Sequence, residues 1–194
     1  PPADPPAGAE TSITRGTWTD GVYYNATAGF NFTPPENWLL ADDEYIAQLV
    51  GVSKEMLGTE GEDLSDHEVV YDTFVQNPDN GTNVFIIYQK VSMLGALGIG
   101  IGDIMDEIVK QMGENTAMNC TYVGTTEQTL GSTDYQCAEF DVDISGITIK
   151  QYILVNKFMN YTTNITITAM ASEPIEEFLP MFTSAQTAMA DCCG

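Results

Sequence analysis

The feature of this sequence that most constrains its fold is an alternation of apolar and polar residues in its second half. From Tyr161 to Ala169 the odd positions are mostly apolar, and every even position is threonine or asparagine. A similar alternation runs through residues 147–156. Successive side chains of a β-strand point to opposite faces of its sheet, so this period predicts antiparallel strands with one face in the core and one in water. Further strands near residues 119–124 and 134–142 complete a predicted β-meander.

The first half of the chain also contains strand signals, separated by residues that favour turns. Two short strands are predicted at residues 18–24 and 30–33, and the second ends at Pro34 because proline cannot donate to a sheet ladder. Two longer strands, at 67–76 and 83–91, flank the segment Asn-Pro-Asp-Asn-Gly at residues 77–81. That segment is a strong turn signal, so the two strands are predicted to form a hairpin.

Three helices are predicted beside the sheet. The first follows the acids at residues 42–44, which suit the positive end of a helix dipole, and it ends at Gly51. The second covers residues 101–112. The third opens at Ser172 and is expected to kink at Pro180. The residues expected to face the core are Tyr45 or Ile46 with Leu49 and Val50 in the first helix, Ile101, Ile104, Met105, Ile108 and Met112 in the second, and Ile175, Phe178, Leu179 and Phe182 in the third. The fold class is therefore α+β, with an antiparallel sheet of about six to eight strands flanked by about three helices.

The charge of the chain excludes two classes of partner. It carries 28 acids against 6 bases, a net charge of −22. Binding to nucleic acid or to an anionic lipid surface depends on clusters of lysine and arginine, which six scattered bases do not supply. A cationic partner or calcium is compatible with this charge. The longest uncharged apolar stretch, residues 91–102, contains four glycines and is too short to span a bilayer.

The chain divides into an N-terminal spacer and one domain. Four of its nine prolines fall in the first six residues, and proline-rich segments form extended, semi-rigid spacers. We therefore predict a spacer over residues 1–16 and a single domain over residues 17–190. The opening residues fit either a processed chain held off a surface by its N-terminus or a trimmed linker between domains.

Four cysteines allow three complete disulfide pairings. Cys120 and Cys137 flank a segment that reads as a hairpin with its midpoint near residues 127–129, and residues equidistant from a hairpin turn face each other. A disulfide between them would close a loop of roughly 17 residues and contribute about 3 kcal/mol. Cys192 and Cys193 can stay free, pair together or bind a partner. This pattern favours an exported protein in an oxidising compartment.

The order of these elements resembles a known family. The segment Trp-Thr-Asp-Gly-Val-Tyr-Tyr-Asn from Trp18, the segment Gly-Phe-Asn-Phe-Thr-Pro-Pro-Glu-Asn-Trp from Gly29 and the late strand Tyr-Thr-Thr-Asn-Ile-Thr from Tyr161 are similar to the PsbP/DcrB-like superfamily, which also contains a nuclear Ran-binding protein. Within it, the chain is most similar to small exported lipoproteins of unknown function from Gram-positive bacteria. The resemblance implies an antiparallel sheet with flanking helices and a lipidated cysteine on the N-terminal side of Pro1. It carries over no catalytic or metal-binding residue, and the four cysteines and the strong negative charge depart from the usual pattern.

Few residues suggest catalysis or metal binding. His67 is the only histidine and has no Gly-x-Ser-x-Gly motif to accompany it, so we interpret it as a surface residue. A loop of acids offers oxygen ligands of the kind calcium prefers, but without the EF-hand spacing. These weak metal candidates are Glu60, Glu62, Asp63, Asp66 and Glu68. A second acidic group, Glu139, Asp141 and Asp143, alternates along one predicted strand.

Large apolar residues are interpreted first as core. Tyr152, Tyr161, Phe178 and Phe182, with the nine methionines, occupy periodic positions. The alternative is that some of them line a cleft for an apolar ligand between the sheet and a helix, since methionine tolerates varied shapes.

These observations predict a non-enzymatic, exported domain tethered at the cell surface, which needs no cofactor and binds a protein or small ligand, or supports assembly, at the cell envelope. The only predicted contact with a membrane is the lipid anchor. Two alternatives remain open: an extracytoplasmic hydrolase that uses a pair of carboxylates, and a module that binds calcium or another small ligand. With 28 acids, some pair at a suitable distance is guaranteed, so the acids alone do not distinguish these functions.

Overall fold

Two antiparallel sheets form the body of the computed structural model, which describes residues 12–25, 28–91, 99–115, 119–158 and 160–185. The larger sheet has seven strands, in the order β4-β5-β6-β10-β9-β8-β7. Its strands are β4 (Leu39–Leu40), β5 (Val69–Gln76), β6 (Asn83–Lys90), β7 (Asn119–Leu130), β8 (Thr133–Ile144), β9 (Ile147–Phe158) and β10 (Tyr161–Met170). The α+β prediction is confirmed, and so are the β5–β6 hairpin and the C-terminal meander.

The smaller sheet packs against one face of the larger one. Its four strands run in the order β1-β2-β3-β11. They are β1 (Thr17–Thr19), β2 (Val22–Asn25), β3 (Phe30–Phe32) and β11 (Phe182–Ser184). The sequence predicts a single strand over residues 18–24, but Asp20 and Gly21, both with positive φ, turn this segment into a hairpin. The main core lies between the two sheets and contains Tyr23, Phe30, Tyr152, Tyr161 and Phe182.

Two α-helices in the described residues cover the other face of the larger sheet. Helix α1 (Asp43–Val50) packs through Ile46 and Ala47 on β5 and β6, and helix α2 (Ile101–Glu114) packs on β7, β8 and β9. Asp42 caps α1 by accepting a hydrogen bond from the Tyr45 amide (2.8 Å), and Gly51 ends it in the left-handed conformation. The predicted bounds of α1 are confirmed, and of the two alternatives Tyr45 and Ile46 it is Ile46 that is buried. Leu49, however, is exposed instead of buried.

The predicted third helix is wrong. Its segment forms two 3-10 helices (Ile175–Glu177 and Leu179–Met181) and then β11, which pairs with β3. Pro180 has no amide hydrogen with which to continue an α-helix, and Phe182 gains a backbone partner in Phe32. Ile175, Phe178 and Phe182 are nevertheless buried, as their spacing predicts.

The predicted Cys120–Cys137 disulfide is also wrong, because the hairpin register differs from the predicted one. The turn between β7 and β8 is at Gly131–Ser132, so Cys137 faces Thr126 and Cys120 faces Val142. Both cysteines are free thiols. Cys192 and Cys193 lie outside the described residues.

The predicted end of the spacer, at residue 16, is too late. Ile13 is buried in the main core and its carbonyl accepts a hydrogen bond from the Leu64 amide (2.8 Å). Arg15 forms an ion pair with Asp43 (2.8 Å). The described residues before β1 therefore belong to the domain. Residues 1–11, which hold the proline-rich segment, and the C-terminal end of the predicted domain, residues 186–190, lie outside the described part of the chain.

Candidate binding cleft

The structure does not gather the predicted metal candidates into one site. The Glu62 carboxylate accepts hydrogen bonds from the Thr59 amide and hydroxyl, at 2.8 and 2.9 Å. Asp63 accepts from the amide and hydroxyl of Ser65. These carboxylates stabilise their own turn, and hydrogen bonding lowers the pKa of both. Within the described residues, Glu60, Glu62, Asp63, Asp66 and Glu68 form no group of three or more potential metal ligands.

The second acidic group lies on the core-side face of β8. Lys150 on β9 donates to Glu139 and, at 3.2 Å, to Asp141, so one base binds two of the three acids. Asp143 accepts from the Gly146 amide (3.0 Å) in the β8–β9 turn. His67 is half-buried in the loop before β5, where its amide donates to the Leu64 carbonyl (2.9 Å).

A buried carboxylate that the sequence did not single out, Asp72, joins the two sheets. It lies at a bulge in β5 and accepts hydrogen bonds from the Gly16 amide (2.9 Å), from the Asn25 amide group (3.1 Å) and from the Tyr23 hydroxyl. Tyr23 in turn contacts the Tyr88 hydroxyl at 3.1 Å. Burial raises the pKa of Asp72, and these hydrogen bonds oppose that shift. Both oxygens of this carboxylate accept hydrogen bonds inside the protein, so we interpret the cluster as structural.

The cavity with the most distinct chemistry is a cleft of about 460 Å³ between α2 and the larger sheet, here called the α2 cleft. This volume falls within the range of small-molecule sites. One wall is formed by α2 and by Ile99, two residues before it, and the floor is formed by the end of β6 and the start of β10. The described residues that line it are Gln89, Lys90, Val91, Ile99, Asp103, Ile104, Glu107, Ile108, Gln111, Thr162 and Asn164.

The floor of the α2 cleft carries an acceptor that is not used, on a side chain that is largely buried. Asn164 is 7% exposed and Thr162 is 3% exposed. The Asn164 amide group donates to the Thr162 hydroxyl (3.0 Å) and carbonyl (3.4 Å), whereas its carboxamide oxygen accepts no hydrogen bond from any described residue. Among the described residues, the fully buried side-chain oxygens without a hydrogen-bond partner belong to Tyr135 and Gln151, so the Asn164 oxygen is reached from the cleft. It can therefore accept a hydrogen bond from a donor placed there.

Two of the three charged residues that line the α2 cleft are acidic. Asp103 and Glu107 project from α2, whereas the Lys90 ammonium donates to the Ser65 carbonyl (2.8 Å) outside it. Asp103 also accepts from the Gly100 amide (2.8 Å) at the start of the helix. Ile99, Ile104 and Ile108 supply an apolar wall. The cleft therefore combines negative charge and a free acceptor with apolar surface.

The alternation along β10 does not by itself reveal this site. The even positions of β10 are expected to face water, and Thr166 and Thr168 are indeed partly exposed. Thr162 and Asn164 are buried instead, on the floor of the α2 cleft. The sequence allows a cleft between sheet and helix, but the cleft is lined by isoleucine and polar residues. The tyrosines and phenylalanines named for that alternative are all buried in the main core, which confirms their interpretation as core.

Comparison with known proteins supports the fold. No protein-family model matches the chain, and no curated protein sequence matches it. The solution structure of cyanobacterial PsbP (CyanoP) from Synechocystis sp. PCC 6803 is similar, with a TM-score of 0.52 and 11% sequence identity over 93% of this chain and 98% of that one. A crystal structure from Bacteroides thetaiotaomicron VPI-5482 aligns with 86% of this chain and 49% of that one, at 13% identity and a TM-score of 0.45. The fold of this chain is PsbP-like. In the described part of the chain, no helix combines the length and apolar character needed to cross a membrane.

Proposed function

We propose that this chain is a non-enzymatic binding domain, exported and tethered at the cell envelope, and that it holds a small organic cation in the α2 cleft. The observation that carries the proposal is the free carboxamide oxygen of Asn164, a residue 7% exposed, on the floor of an acidic cleft. Export and tethering are supported by the resemblance to Gram-positive lipoproteins and by the proline-rich composition of the segment before the domain. The free thiols of Cys120 and Cys137 withdraw the support that a disulfide would have given to export.

The cleft favours an amine joined to an apolar body. An ammonium group donates hydrogen bonds and carries positive charge, which matches Asn164 together with Asp103 and Glu107. The isoleucine wall of the cleft gains by excluding water from apolar ligand surface. Lys110 lies 3.6 Å from Glu107, but both side chains are largely exposed, so this ion pair is weak and open to competition.

The non-enzymatic character of the proposal is supported by the chemistry of the cleft. Its described lining residues offer amides, two carboxylates, one threonine hydroxyl and the Lys90 ammonium, which donates to the Ser65 carbonyl, but no imidazole, thiol or serine. The carboxylate with the strongest burial, Asp72, is already occupied by donors from three other residues. Reproducible turnover of peptidoglycan or an oligosaccharide, lost when one pair of acids is replaced, would overturn this part of the proposal and favour a carboxylate hydrolase.

A titration with three matched probes tests the ligand class. 2-Phenylethylamine, 2-phenylethanol and 3-phenylpropionate share an aromatic body and differ in the charge of the head group. We expect the amine to bind most tightly and to shift the NMR resonances of residues in α2 and β10, with the alcohol weaker and the carboxylate weakest. Equal binding of all three, or shifts confined to other parts of the protein, would contradict the proposal.

Two variants on α2 separate a specific contact from general charge. Glu107→Gln removes a carboxylate from the cleft, and Glu114→Gln removes one from the exposed end of the same helix. We expect Glu107→Gln to weaken binding of the amine by about threefold to tenfold, a typical effect of losing one partly exposed charge, and Glu114→Gln to leave it unchanged. A calcium titration by calorimetry tests the remaining alternative, since a specific heat of binding would favour a calcium module.

The tether is tested in the organism that makes the protein. A signal peptide ending in a lipid-acceptor cysteine in the gene, together with recovery of the protein in the membrane fraction and its release by mild proteolysis, is the expected result. Recovery only from the cytoplasmic fraction would contradict export while leaving the ligand proposal intact.

A further inference from the structure

Strand β7 is the edge strand of the larger sheet, and no described strand pairs with its outer side. At the opposite edge, β4 has only two residues, but other groups contact the rest of β5. Arg15 donates to the Asp72 carbonyl (2.9 Å) and the Ala41 amide donates to the Phe74 carbonyl (2.9 Å). The Gly16 amide donates to the Asp72 side chain. The edge strands of the smaller sheet, β1 and β11, have three residues each. In contrast, β7 has twelve residues, and in the described structure it pairs only with β8.

Apart from a contact of β11 with the C-terminal end of β7, this edge lacks most of the features by which proteins protect a free strand. Such features include lysine, proline, a short length and a covering loop. Strand β7 contains neither lysine nor proline, and Glu127 is its only charged residue. One bulge interrupts it between Tyr122 and Gly124, and Tyr122 and Val123 are 46% and 52% exposed. An extended segment can therefore add to this edge through backbone hydrogen bonds.

The charge next to this edge is negative. Glu139, Asp141 and Asp143 lie on one face of β8, and the β7 residues opposite them are small: Gly124, Thr121 and Asn119 respectively. A Cβ atom added at Gly124 would meet no other atom within 4 Å, so the space above it is open. Lys150 compensates one of the three negative charges.

A strand added to β7 would lie about 10 Å from β8, two strand spacings away. Long basic side chains on that strand can cross the small residues of β7 and approach the β8 acids. We infer that the β7 edge binds an extended basic segment of a partner protein as an eighth strand of the larger sheet. The edge is on the opposite side of α2 from the cleft floor, so this binding does not require a ligand in the α2 cleft.

A basic partner fits this edge better than a second copy of the chain. Each copy has a net charge of −22, and pairing two β7 edges would bring two sets of β8 acids together. A basic segment carries the opposite charge, so it reduces the repulsion among these acids and is attracted to them.

The inference is tested with a fluorescein-labelled peptide of about ten residues that alternates lysine with threonine, a length typical of a β-strand. We expect saturable binding by fluorescence anisotropy that weakens as NaCl rises from about 50 to about 300 mM. Bound peptide should protect amides of residues 119–130 from hydrogen exchange. A matched peptide N-methylated at alternate backbone nitrogens keeps the charge but blocks the strand ladder, and we expect it to bind at least about tenfold more weakly.

A pair of double variants of equal net charge locates the site. Asp141→Asn with Asp143→Asn removes charge beside β7, whereas Asp106→Asn with Glu114→Gln removes the same charge from exposed positions on α2. We expect the first to weaken binding by about threefold to tenfold and the second to leave it unchanged. Equal binding of the N-methylated peptide, equal effects of the two double variants, or protection at another edge would overturn the inference. Sedimentation that reveals a dimer with protected β7 amides in the absence of peptide would also overturn it, in favour of a second copy.

Discussion

Asp72 is the residue at which the two sheets are tied together, and it is a carboxylate almost completely removed from water. Burial raises its pKa, while hydrogen bonds from Tyr23, the Gly16 amide and Asn25 and the charge of Arg15 oppose that shift. Its bulge in β5 turns it toward the smaller sheet. A satisfied polar network of this kind defines one geometry between two packed layers, because displacing any member leaves a buried group without a partner.

We predict that Asp72 makes the stability of the protein depend on pH. Because the folded-state pKa is raised above the unfolded value of about 3.9, the folded state binds this proton more tightly. The contribution of this proton to the free energy of unfolding is therefore complete below the pKa of Asp72 in the unfolded chain. It is lost as the pH rises through the pKa of Asp72 in the folded protein. The stability advantage of the wild type over Asp72→Asn, measured by urea unfolding, should therefore be larger near pH 3.5, below the unfolded pKa of about 3.9, than near pH 8.

The comparison between the two proteins removes the contributions of the other acids, such as Glu62 and Asp63, whose pKa values are lowered and which act in the opposite direction. A difference in unfolding free energy that stays constant with pH, or that grows as pH rises, would show that Asp72 is not the group responsible.

Cys137 provides a second prediction at this scale. Burial raises the pKa of its thiol to about 12, and the Glu139 carboxylate adds to that shift, whereas Cys120 is only partly buried. Because the thiolate is the reactive form, iodoacetamide near pH 8 should modify Cys120 much faster than Cys137 in the folded protein. Peptide mapping by mass spectrometry measures both sites, and both should react in urea. A disulfide-linked peptide pair containing Cys120 and Cys137 would contradict the β7–β8 register, which places the two cysteines apart.

Strands and local turns were predictable from sequence because their signals are local. Asn77 to Gly81 defines the β5–β6 hairpin through residues that favour a turn, and alternation defines β9 and β10. Features that depend on contacts between distant residues were not predictable. The closing segment has helical spacing but pairs with β3, some 150 positions earlier in the chain. By its period Asn164 is expected to face solvent, but it is buried on the floor of the α2 cleft, a tertiary feature that the alternation does not encode.

The β7–β8 turn is a register-determining element, and Gly131 sits where it meets β11. Gly131 and Gly146 both close hairpins with positive φ, at +63° and +84°. A Cβ at Gly131 would lie 2.9 Å from the Thr183 carbonyl oxygen, whereas a Cβ at Gly146 would meet nothing within 4 Å. The two positions therefore share the backbone requirement and differ in the close contact.

We predict that Gly131→Ala is more destabilising than Gly146→Ala. The left-handed conformation costs an alanine about 1–2 kcal/mol at either site, and the contact with β11 adds about 1–3 kcal/mol at Gly131 only. Urea unfolding of both variants beside the wild type gives the two values. Equal losses would mean that β11 moves away from Gly131 freely and is not docked firmly on the hairpin.

At the scale of the whole molecule, the way in which the other elements cover the larger sheet explains the position of both proposed binding regions. The smaller sheet covers one face of the larger sheet, and α1 and α2 cover only parts of the other. The α2 cleft lies where the helix leaves β6 and β10 incompletely covered, and the β7 edge lies where no described strand pairs with β7 on its outer side, although β11 contacts its C-terminal end. Both regions are bordered by acids, which is expected of a chain with a net charge of −22 and which selects for cationic ligands.

The net negative charge of the chain opposes folding, and the dependence of stability on salt concentration should show this effect. With 28 acids and 6 bases, mutual repulsion of carboxylates is stronger in the compact state than in the unfolded chain, and it is screened by ions. We predict that raising NaCl from about 20 to about 300 mM increases the free energy of unfolding by about 1 kcal/mol or more, which raises the melting temperature by roughly 2–4 °C or more. The same series near pH 3, where most carboxylates are protonated, should show little dependence on salt. A melting temperature that falls with salt at neutral pH would contradict this prediction. It would mean that the ion pairs of Arg15 and Lys150 stabilise the protein more than repulsion among the acids destabilises it.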